Sequence, residues 1–151
     1  MKLIAHRGNI SGPNEELENK VDYIEEAINQ GYDVEVDLRL KNKSLFLGHD
    51  YPQYQVDLNW LIKRKNNLWI HCKDLESICY LRKIDAFHSL NYFGHDNDDY
   101  VLTSQNFLFC KPTKKLNNHC VLVMPELYNY EVLNEKCYGI LTDYPKIYLN
   151  K

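Results

Sequence analysis

The sequence predicts a single α/β domain over residues 1–151, built around a parallel sheet or barrel. Strand-like apolar runs alternate with amphipathic, helix-like segments through the first half of the chain, which is the order found in parallel sheets. A complete (β/α)8 barrel needs ~250 residues. We therefore expect a reduced barrel, with several helices missing from the C-terminal half.

The first strand is expected at residues 3–5, where an apolar run stops at the polar pair His6-Arg7. A helix should follow, with Asn19 as its N-cap and Gly31 just after its last turn. Its apolar face is formed by residues at helical spacing, namely Val21, Ile24, Ala27 and Ile28.

The second strand is expected at residues 32–40, where apolar and charged side chains alternate. A period of two puts Glu35 and Asp37 on the same face of that strand. A turn then returns the chain along a strand at residues 45–47, which ends just before His49.

The third strand, at residues 68–70, ends before His71 and Lys73, which share one face because they are two residues apart. Helices should begin after Asp57 and Asp74, since aspartate is a favoured N-cap. The second of these helices should turn its apolar side chains inward, namely Leu75, Ile78 and Leu81.

The C-terminal half predicts strands without long helices. Residues 100–103 and 107–110 fit the two arms of a hairpin, and residues 120–124 and 138–141 fit further core strands. Loops are expected at residues 9–16, 51–56 and 91–99. The last of these loops contains His95, which we expect to be solvated, the alternative being a place over the rim of the site.

The composition predicts a soluble, cytoplasmic protein. Its net charge of −3 gives no general attraction to nucleic acid or to anionic membranes. No apolar run approaches the ~20 residues that span a bilayer, so no stable membrane insertion is expected. Five cysteines without a C-x-x-C pair predict free thiols rather than a disulfide framework or a zinc knuckle. The expected partner is a small molecule.

Polar side chains follow the predicted strands where their carboxyl ends meet, which is the usual place for a site in parallel α/β folds. Glu35 and Asp37 offer the oxygen ligands that Mg²⁺ and Ca²⁺ prefer. Arg7 can donate a pair of hydrogen bonds to a phosphate, and Lys73 can supply a further positive charge. These residues predict a phosphoester site that holds a divalent cation.

His6 and His49 complete the chemistry, because one imidazole can take a proton from the attacking oxygen while the other protonates the leaving group. Simpler interpretations stay open. Each histidine alone could be a satisfied polar residue at a strand end, and the two carboxylates of the second strand could be its solvated face. Glu18 is expected to complement the dipole of the following helix, the alternative being that it orients Arg7. Thr142 and Asp143 end the last predicted strand, where a turn cap and a site contact are equally open.

The chain contains five short motifs in a characteristic order and spacing. They are His6-Arg7-Gly8, Glu18-Asn19, Glu35-Val36-Asp37, Gly48-His49-Asp50 and Leu141-Thr142-Asp143-Tyr144-Pro145. This pattern resembles the glycerophosphodiester phosphodiesterase family, within the phospholipase C-like phosphodiesterase superfamily. The resemblance spans nearly the whole chain and is dense up to His49. It implies an irregular, TIM-barrel-like (β/α) barrel.

The resemblance implies that His6 and His49 form an acid–base pair. It also implies that Glu35 and Asp37 bind the metal and that Arg7 binds the phosphate. The third metal ligand of the family is an acidic residue two positions before a lysine. His71 takes that position here, and Lys73 matches the lysine. Three interpretations of His71 are open: a metal ligand, a bystander displaced from the metal, or the sign of a lost site. An imidazole in place of a carboxylate should weaken Mg²⁺ or Ca²⁺ and opens the site to Mn²⁺ or Zn²⁺.

The expected function is metal-dependent hydrolysis of a glycerophosphodiester-like substrate, as in lipid metabolism. The His71 departure and the short chain motivate an alternative, a non-catalytic barrel that binds a phosphorylated ligand. A third hypothesis is a structural or interaction protein with a vestigial pocket.

Overall fold

The computed structural model describes residues 1–132 and 136–149, apart from the side chains of residues 86 and 87. Its strands are β1 (Lys2–His6), β2 (Asp33–Lys41), β3 (Ser44–Leu47), β4 (Tyr54–Val56), β5 (Leu68–Cys72), β6 (Tyr92–Phe93), β7 (Tyr100–Leu102), β8 (Leu108–Cys110), β9 (Cys120–Val123) and β10 (Gly139–Thr142). Its α-helices are α1 (Val21–Asn29), α2 (Leu58–Lys63) and α3 (Leu75–His88).

One 10-stranded, mostly parallel sheet connects these strands. In the order β6-β5-β2-β1-β10-β9-β8, each strand pairs with parallel neighbours. The antiparallel additions are β3 on the carboxyl end of β2, β4 on β3, and β7 on β8. No strand pairing among the described residues joins β6 to β8, so the sheet is not closed. The predicted α/β class is confirmed, and a closed barrel is not formed within that part of the chain.

The two faces of the sheet differ, as the alternating sequence of β2 predicts. Val34, Val36 and Leu38 are fully buried in a core shared with α1 and α3. Glu35 and Asp37 are buried on the opposite face. That face also carries a second apolar core, drawn from most of the parallel strands, with Ile4, Trp69, Phe93, Phe109, Val121 and Leu141. Fully burying such a side chain stabilises a fold by ~1.5–3 kcal/mol, so both faces contribute.

Two predicted helix caps are confirmed. A carboxylate oxygen of Asp57 accepts the backbone N–H of Trp60 at 2.7 Å, where α2 begins. Asp74 accepts the N–H of Ser77 at 2.7 Å, where α3 begins. Each bond satisfies a backbone donor that the first turn of a helix leaves unpaired.

Two details of the predicted helices are wrong. Asn19 does not cap α1, because the helix begins one residue later and Lys20 occupies the cap position without a side-chain hydrogen bond. Leu75 was expected to face inward, but it is 69% exposed. It lies in the first turn of α3, whose buried face is carried by Leu81 and the partly buried Ile78.

Short strands lie within two of the predicted loops, since β4 falls in residues 51–56 and β6 in residues 91–99. Strands of two or three residues are too short to show a period of two in the sequence. After α3, the helices of the described chain are 3-10 helices, Pro125–Tyr128 and Pro145–Tyr148. In residues 1–132 and 136–149, no helix is both long enough and apolar enough to cross a membrane.

Candidate functional site

The parallel pairing of β2 with β5 brings three potential metal ligands together. Parallel pairing places Asp37 beside His71, and Glu35 lies on the same face of β2. The ligand atoms of Glu35, Asp37 and His71 all lie within 4.8 Å of one another. We call these three residues the ligand cluster. They are the three ligands expected from the sequence.

The ligand cluster contains buried polar atoms that lack a hydrogen-bond partner among the described residues, namely Glu35 Oε2, Asp37 Oδ1 and His71 Nε2. His71 Nδ1 lies 3.4 Å and Lys73 Nζ lies 3.8 Å from Asp37 Oδ1, which are ion-pair distances. Leaving a buried polar atom unpaired costs ~1–3 kcal/mol, and more for a charged one. A bound cation would therefore give the buried oxygens of Glu35 and Asp37 a partner, with Nδ1 of His71, the ring nitrogen nearest to them, as the third donor.

Asp37 is the most tightly held carboxylate of the site. Its Oδ2 accepts a hydrogen bond from Asn19 Nδ2 at 3.0 Å and lies 2.9 Å from Arg7 Nε. Burial favours the neutral acid, but the neighbouring His71 imidazole and the charge of Arg7 outweigh it, so the pKa of Asp37 is well below its ordinary value. Asp37 therefore stays anionic at neutral pH.

The imidazole of His71 faces the two carboxylates of β2, with Nδ1 at 3.6 Å from Glu35 Oε1. Burial favours the neutral ring, but hydrogen bonds to Asp37 and Glu35 outweigh it and raise the pKa of His71. The two acids therefore favour the protonated form of His71. A metal ligand must be the neutral imidazole, so metal binding and protonation compete at this ring.

His6 lies at the end of β1, beside Glu35 in the strand register. Its Nδ1 is 2.8 Å from Asp143 Oδ1, which also accepts a hydrogen bond from Asn9 Nδ2 at 2.8 Å. Burial disfavours the charged ring, but the bond to Asp143 and the charge of Glu35 outweigh it and raise the pKa of His6. Burial would raise the pKa of Asp143, but its hydrogen bond with His6 outweighs burial and lowers that pKa.

Arg7 is held by an acidic residue from the loop before α1. Its Nη1 donates to Glu18 Oε2 at 2.9 Å, and Glu18 Oε1 accepts a hydrogen bond from Asn9 at 2.8 Å. The expectation that Glu18 complements the dipole of α1 is wrong, because its carboxylate is engaged by these two partners. The alternative, in which Glu18 orients Arg7, is the arrangement observed.

His49 follows β3 and reaches the site from the antiparallel extension of the sheet. Its Nδ1 lies 2.8 Å from Asp50 Oδ1, and its side chain is 40% exposed. Arg39 fixes the backbone here, because it donates hydrogen bonds to the carbonyl oxygens of Gly48 and His49. The chain on which His49 stands is thereby tied to β2.

A cleft of about 190 Å³ joins most of these side chains. One part of its lining is polar and includes His6, Arg7, Glu35, His49, His71 and His95. Lys73 is not among the residues that line the cleft, but it contacts the ligand cluster through its ion pair with Asp37. The structure therefore brings together every site residue expected from the sequence, from β1, β2, β5 and the segment after β3.

His95 is exposed, as expected for a solvated loop, and it also lines the cleft, which is the alternative expectation for this residue. Its ring stacks on that of His71, with centroids 4.7 Å apart and planes 11° apart. The His71 ring also stacks on Phe93, at 4.9 Å. Burial and the neighbouring His71 lower the pKa of His95. The pairing of β6 with β5 places the segment that contains His95 beside the site. Because β6 has two residues, the sequence pattern does not predict this strand.

Three polar residues of the site were missed or given another role. Asn19 was assigned to a helix cap, Asn9 was not considered, and Asp143 was as readily a turn cap as a site residue. The motif pairs Glu18-Asn19 and Thr142-Asp143 were the only sequence signals for these contacts.

Comparison of the chain with protein-family models, curated proteins and solved structures finds no match.

Proposed function

We propose that this protein is a metal-dependent phosphodiesterase that cleaves a small phosphodiester by acid–base catalysis with two histidines. The observation that carries the proposal is the convergence of two carboxylate-paired histidines, His6 and His49, on a cleft that also contains Glu35 and His71 of the ligand cluster. Phosphodiester cleavage needs positive charge for the phosphate, a base and an acid, and this cleft contains a candidate for each.

A divalent cation fits the ligand cluster. Glu35, Asp37 and His71 each offer a ligand atom within 4.8 Å of the others, and each keeps an atom without a hydrogen-bond partner in the described structure. Two carboxylates suit Mg²⁺ or Ca²⁺, whereas the imidazole adds affinity for Mn²⁺ or Zn²⁺. When bound, the cation supplies positive charge to the phosphate oxygens.

We assign the acid role to His6. Its Nδ1 is occupied by Asp143, which leaves Nε2 to exchange the proton. Burial disfavours the charged ring, but the bond to Asp143 outweighs it and raises the pKa of His6, which favours the protonated form that an acid for the leaving-group oxygen needs. His49 takes the base role, because it is paired with Asp50 through Nδ1 and its exposed ring can pass the proton to solvent.

Arg7 and Lys73 are the cations assigned to the phosphate. Arg7 lines the cleft, and its ion pairs with Glu18 and Asp37 hold the guanidinium in place before a ligand arrives. Lys73 is a second positive charge, 3.8 Å from Asp37 Oδ1. Preorganised charges of this kind stabilise charge that develops during the reaction, because they need no reorganisation.

The proposed family relationship includes a reduced TIM-barrel-like fold, and two features of the sheet support it. The apolar core on the face opposite the helices takes one side chain from most of the parallel strands, as the interior of a barrel does. The N–H of Ser104, beside the β7–β8 hairpin, donates to the carbonyl oxygen of Tyr92 in β6 at 2.8 Å. This bond draws the two ends of the parallel order toward each other.

A phosphate-binding barrel without turnover is the second candidate. It is favoured by one observation, that Asp37 already has two cationic partners, Arg7 and Lys73, together with the raised pKa of His71. Those charges could replace a metal as counter-ions. This candidate predicts binding of a phosphate ester with no product formed in any metal.

The experiment that tests the proposal is hydrolysis of an activated aryl phosphodiester after chelation, followed by separate addition of Mg²⁺, Ca²⁺, Mn²⁺ or Zn²⁺. The aryl phosphomonoester serves as the control substrate. Metal-dependent cleavage of the diester, well above that of the monoester, supports a phosphodiesterase. Absence of cleavage in every metal, from a folded protein, favours the phosphate-binding barrel.

A further inference from the structure

The cleft continues from the polar site into a part with apolar walls. Its apolar lining comes from β7 to β10 and the 3-10 helix after β9, with Val101, Phe109, Val123, Met124, Leu127 and Leu141. Phe109, Met124 and Leu141 are 4%, 7% and 5% exposed, so they also belong to the core. Leu127 is 71% exposed and stands at the edge of the cleft.

Polar residues line the same cleft, namely Asp98, Asp99, Lys111 and Tyr128, and two of them pair with each other. Lys111 Nζ lies 3.4 Å from Asp99 Oδ1, and Lys114 lies 2.8 Å from the other oxygen of that carboxylate. The apolar side chains offer no hydrogen bonds. A hydroxyl-bearing group placed against them would lose its bonds to water without replacement, which costs free energy.

The size of the cleft limits what can bind. Its volume of about 190 Å³ is close to the ~150 Å³ of an engineered apolar cavity that holds benzene. That volume includes the polar end, so the phosphate takes part of it, and the part along the apolar wall suits a short alkyl chain or the edge of one aromatic ring. A longer chain would leave the cleft past the exposed Leu127.

We propose that the phosphodiesterase acts on diesters in which one alcohol is apolar, an alkyl or aryl group that binds against Phe109, Met124 and Leu127. This inference rests on the proposed function, because it places the phosphate at the ligand cluster. The two ends of the cleft would then bind different parts of the same substrate. The polar histidine end receives the phosphate, and the apolar end selects its substituent.

The test is a substrate series with a constant nitrophenyl leaving group and a second alcohol that changes from methyl to ethyl, propyl and butyl. A glyceryl diester provides the polar comparison, and a phenyl diester distinguishes an aryl from an alkyl preference. Burying one methylene corresponds to a factor of about four at most. We expect kcat/KM to rise about two- to fourfold with each methylene and to be lowest for the glyceryl diester.

A pair of exposed leucines provides the matched variants. Leu127→Ser alters the edge of the cleft, whereas Leu75→Ser alters an equally exposed residue, 69% against 71%, at the start of α3. We expect Leu127→Ser to lower kcat/KM about fivefold more for the butyl diester than for the methyl diester. Leu75→Ser should change neither. Because both residues are exposed, both variants should fold.

The outcomes separate this inference from the proposed function. Diester cleavage that ignores chain length, or that favours the glyceryl diester, overturns the apolar preference and leaves the phosphodiesterase standing. If no diester is cleaved, the proposed function fails, and calorimetric binding of methyl, butyl and glyceryl phosphate decides the inference. Tighter binding of butyl phosphate supports the apolar wall, and equal or weaker binding than glyceryl phosphate overturns it.

Discussion

Asn19 and Asp37 exchange two hydrogen bonds inside the protein. Asn19 Nδ2 donates to Asp37 Oδ2 at 3.0 Å, and the backbone N–H of Asp37 donates to Asn19 Oδ1 at 2.9 Å. Both residues are 1% exposed. One asparagine thus fixes both the main chain and the side chain of a proposed metal ligand. It also ties the loop before α1 to the central strand β2.

Replacing Asn19 should destabilise the protein more than a surface asparagine does. Asn19 has a φ of +62°, so glycine is the substitution that removes the amide without backbone strain. We expect Asn19→Gly to lower the free energy of unfolding by about 2–4 kcal/mol, since it leaves buried polar groups of Asp37 unpaired. Urea unfolding measures this difference.

Asn42→Gly is the matched control, because Asn42 is exposed in the β2–β3 turn and has a φ of +51°. That variant should stay within about 1 kcal/mol of the parent protein. Equal effects of the two substitutions would show that the exchange between Asn19 and Asp37 contributes nothing specific.

The ligand cluster was predictable because its residues lie in regular strands. Alternation in β2 placed Glu35 and Asp37 on one face, and the convergence of parallel strand ends brought His71 to them. Asn19 was assigned wrongly because its residue type also suits a helix cap. The pair of His6 and Asp143 could not be predicted, since 137 positions separate them and only the β1–β10 pairing brings them together.

The rest of the fold also divides into features that the local sequence predicts and features that depend on tertiary contacts. The longer strands and the caps Asp57 and Asp74 follow from local rules, because the sequence pattern and the hydrogen bond involve neighbouring residues. The segment that carries His95 does not, because β6 has two residues and depends on pairing with β5. Closure of the sheet is also a tertiary property, and length alone predicted only that a barrel would be reduced.

The His6–Asp143 pair should give the protein a defined pH dependence. The raised pKa of His6 stabilises the fold below its ordinary value of ~6.5, and this contribution is lost as the pH rises through the raised pKa. The lowered pKa of Asp143 stabilises the fold above ~3.9, and this contribution is lost as the pH falls. We therefore expect Asp143→Asn to cost most stability between about pH 4 and 6.5.

NMR titration of the histidines and urea unfolding at several pH values measure this effect. Asp143→Asn should lower the pKa of His6, whereas Asp96→Asn, at an exposed carboxylate of another loop, should not. An unchanged His6 titration in Asp143→Asn would show that the pair does not control the proton.

Metal binding should stabilise the protein through Glu35. At a free metal concentration ten times the Kd, binding to the folded state adds about 1.4 kcal/mol. For a chain of this length that is a rise of about 3–6 °C in Tm. We expect a chelator to reverse the rise and Glu35→Gln to abolish it, as measured by thermal unfolding. Glu16→Gln, at an exposed residue outside the cleft, should keep the full response; loss of the response there would indicate nonspecific binding.

His71→Asp should change which metal is preferred. The substitution replaces an imidazole with a third carboxylate beside Glu35 and Asp37, so it suits hard cations such as Mg²⁺ and Ca²⁺. We expect the metal-free variant to be less stable by about 1–3 kcal/mol, because His71 no longer balances the two acids. The ratio of Mg²⁺ to Zn²⁺ affinity should rise at least tenfold, measured by calorimetry. An unchanged ratio would mean that His71 does not bind the metal.

The most direct test of the phosphodiesterase is the metal-dependent cleavage of an aryl phosphodiester by three proteins, the parent chain, His49→Ala and His119→Ala. His49 lines the cleft, whereas His119 is exposed before β9, so the pair controls for loss of an imidazole. Proton transfer by a positioned side chain contributes about 10²–10⁴-fold in rate. We predict that His49→Ala lowers kcat by at least a hundredfold while keeping its Tm, and that His119→Ala matches the parent. Equal turnover by His49→Ala and the parent protein would contradict the mechanism.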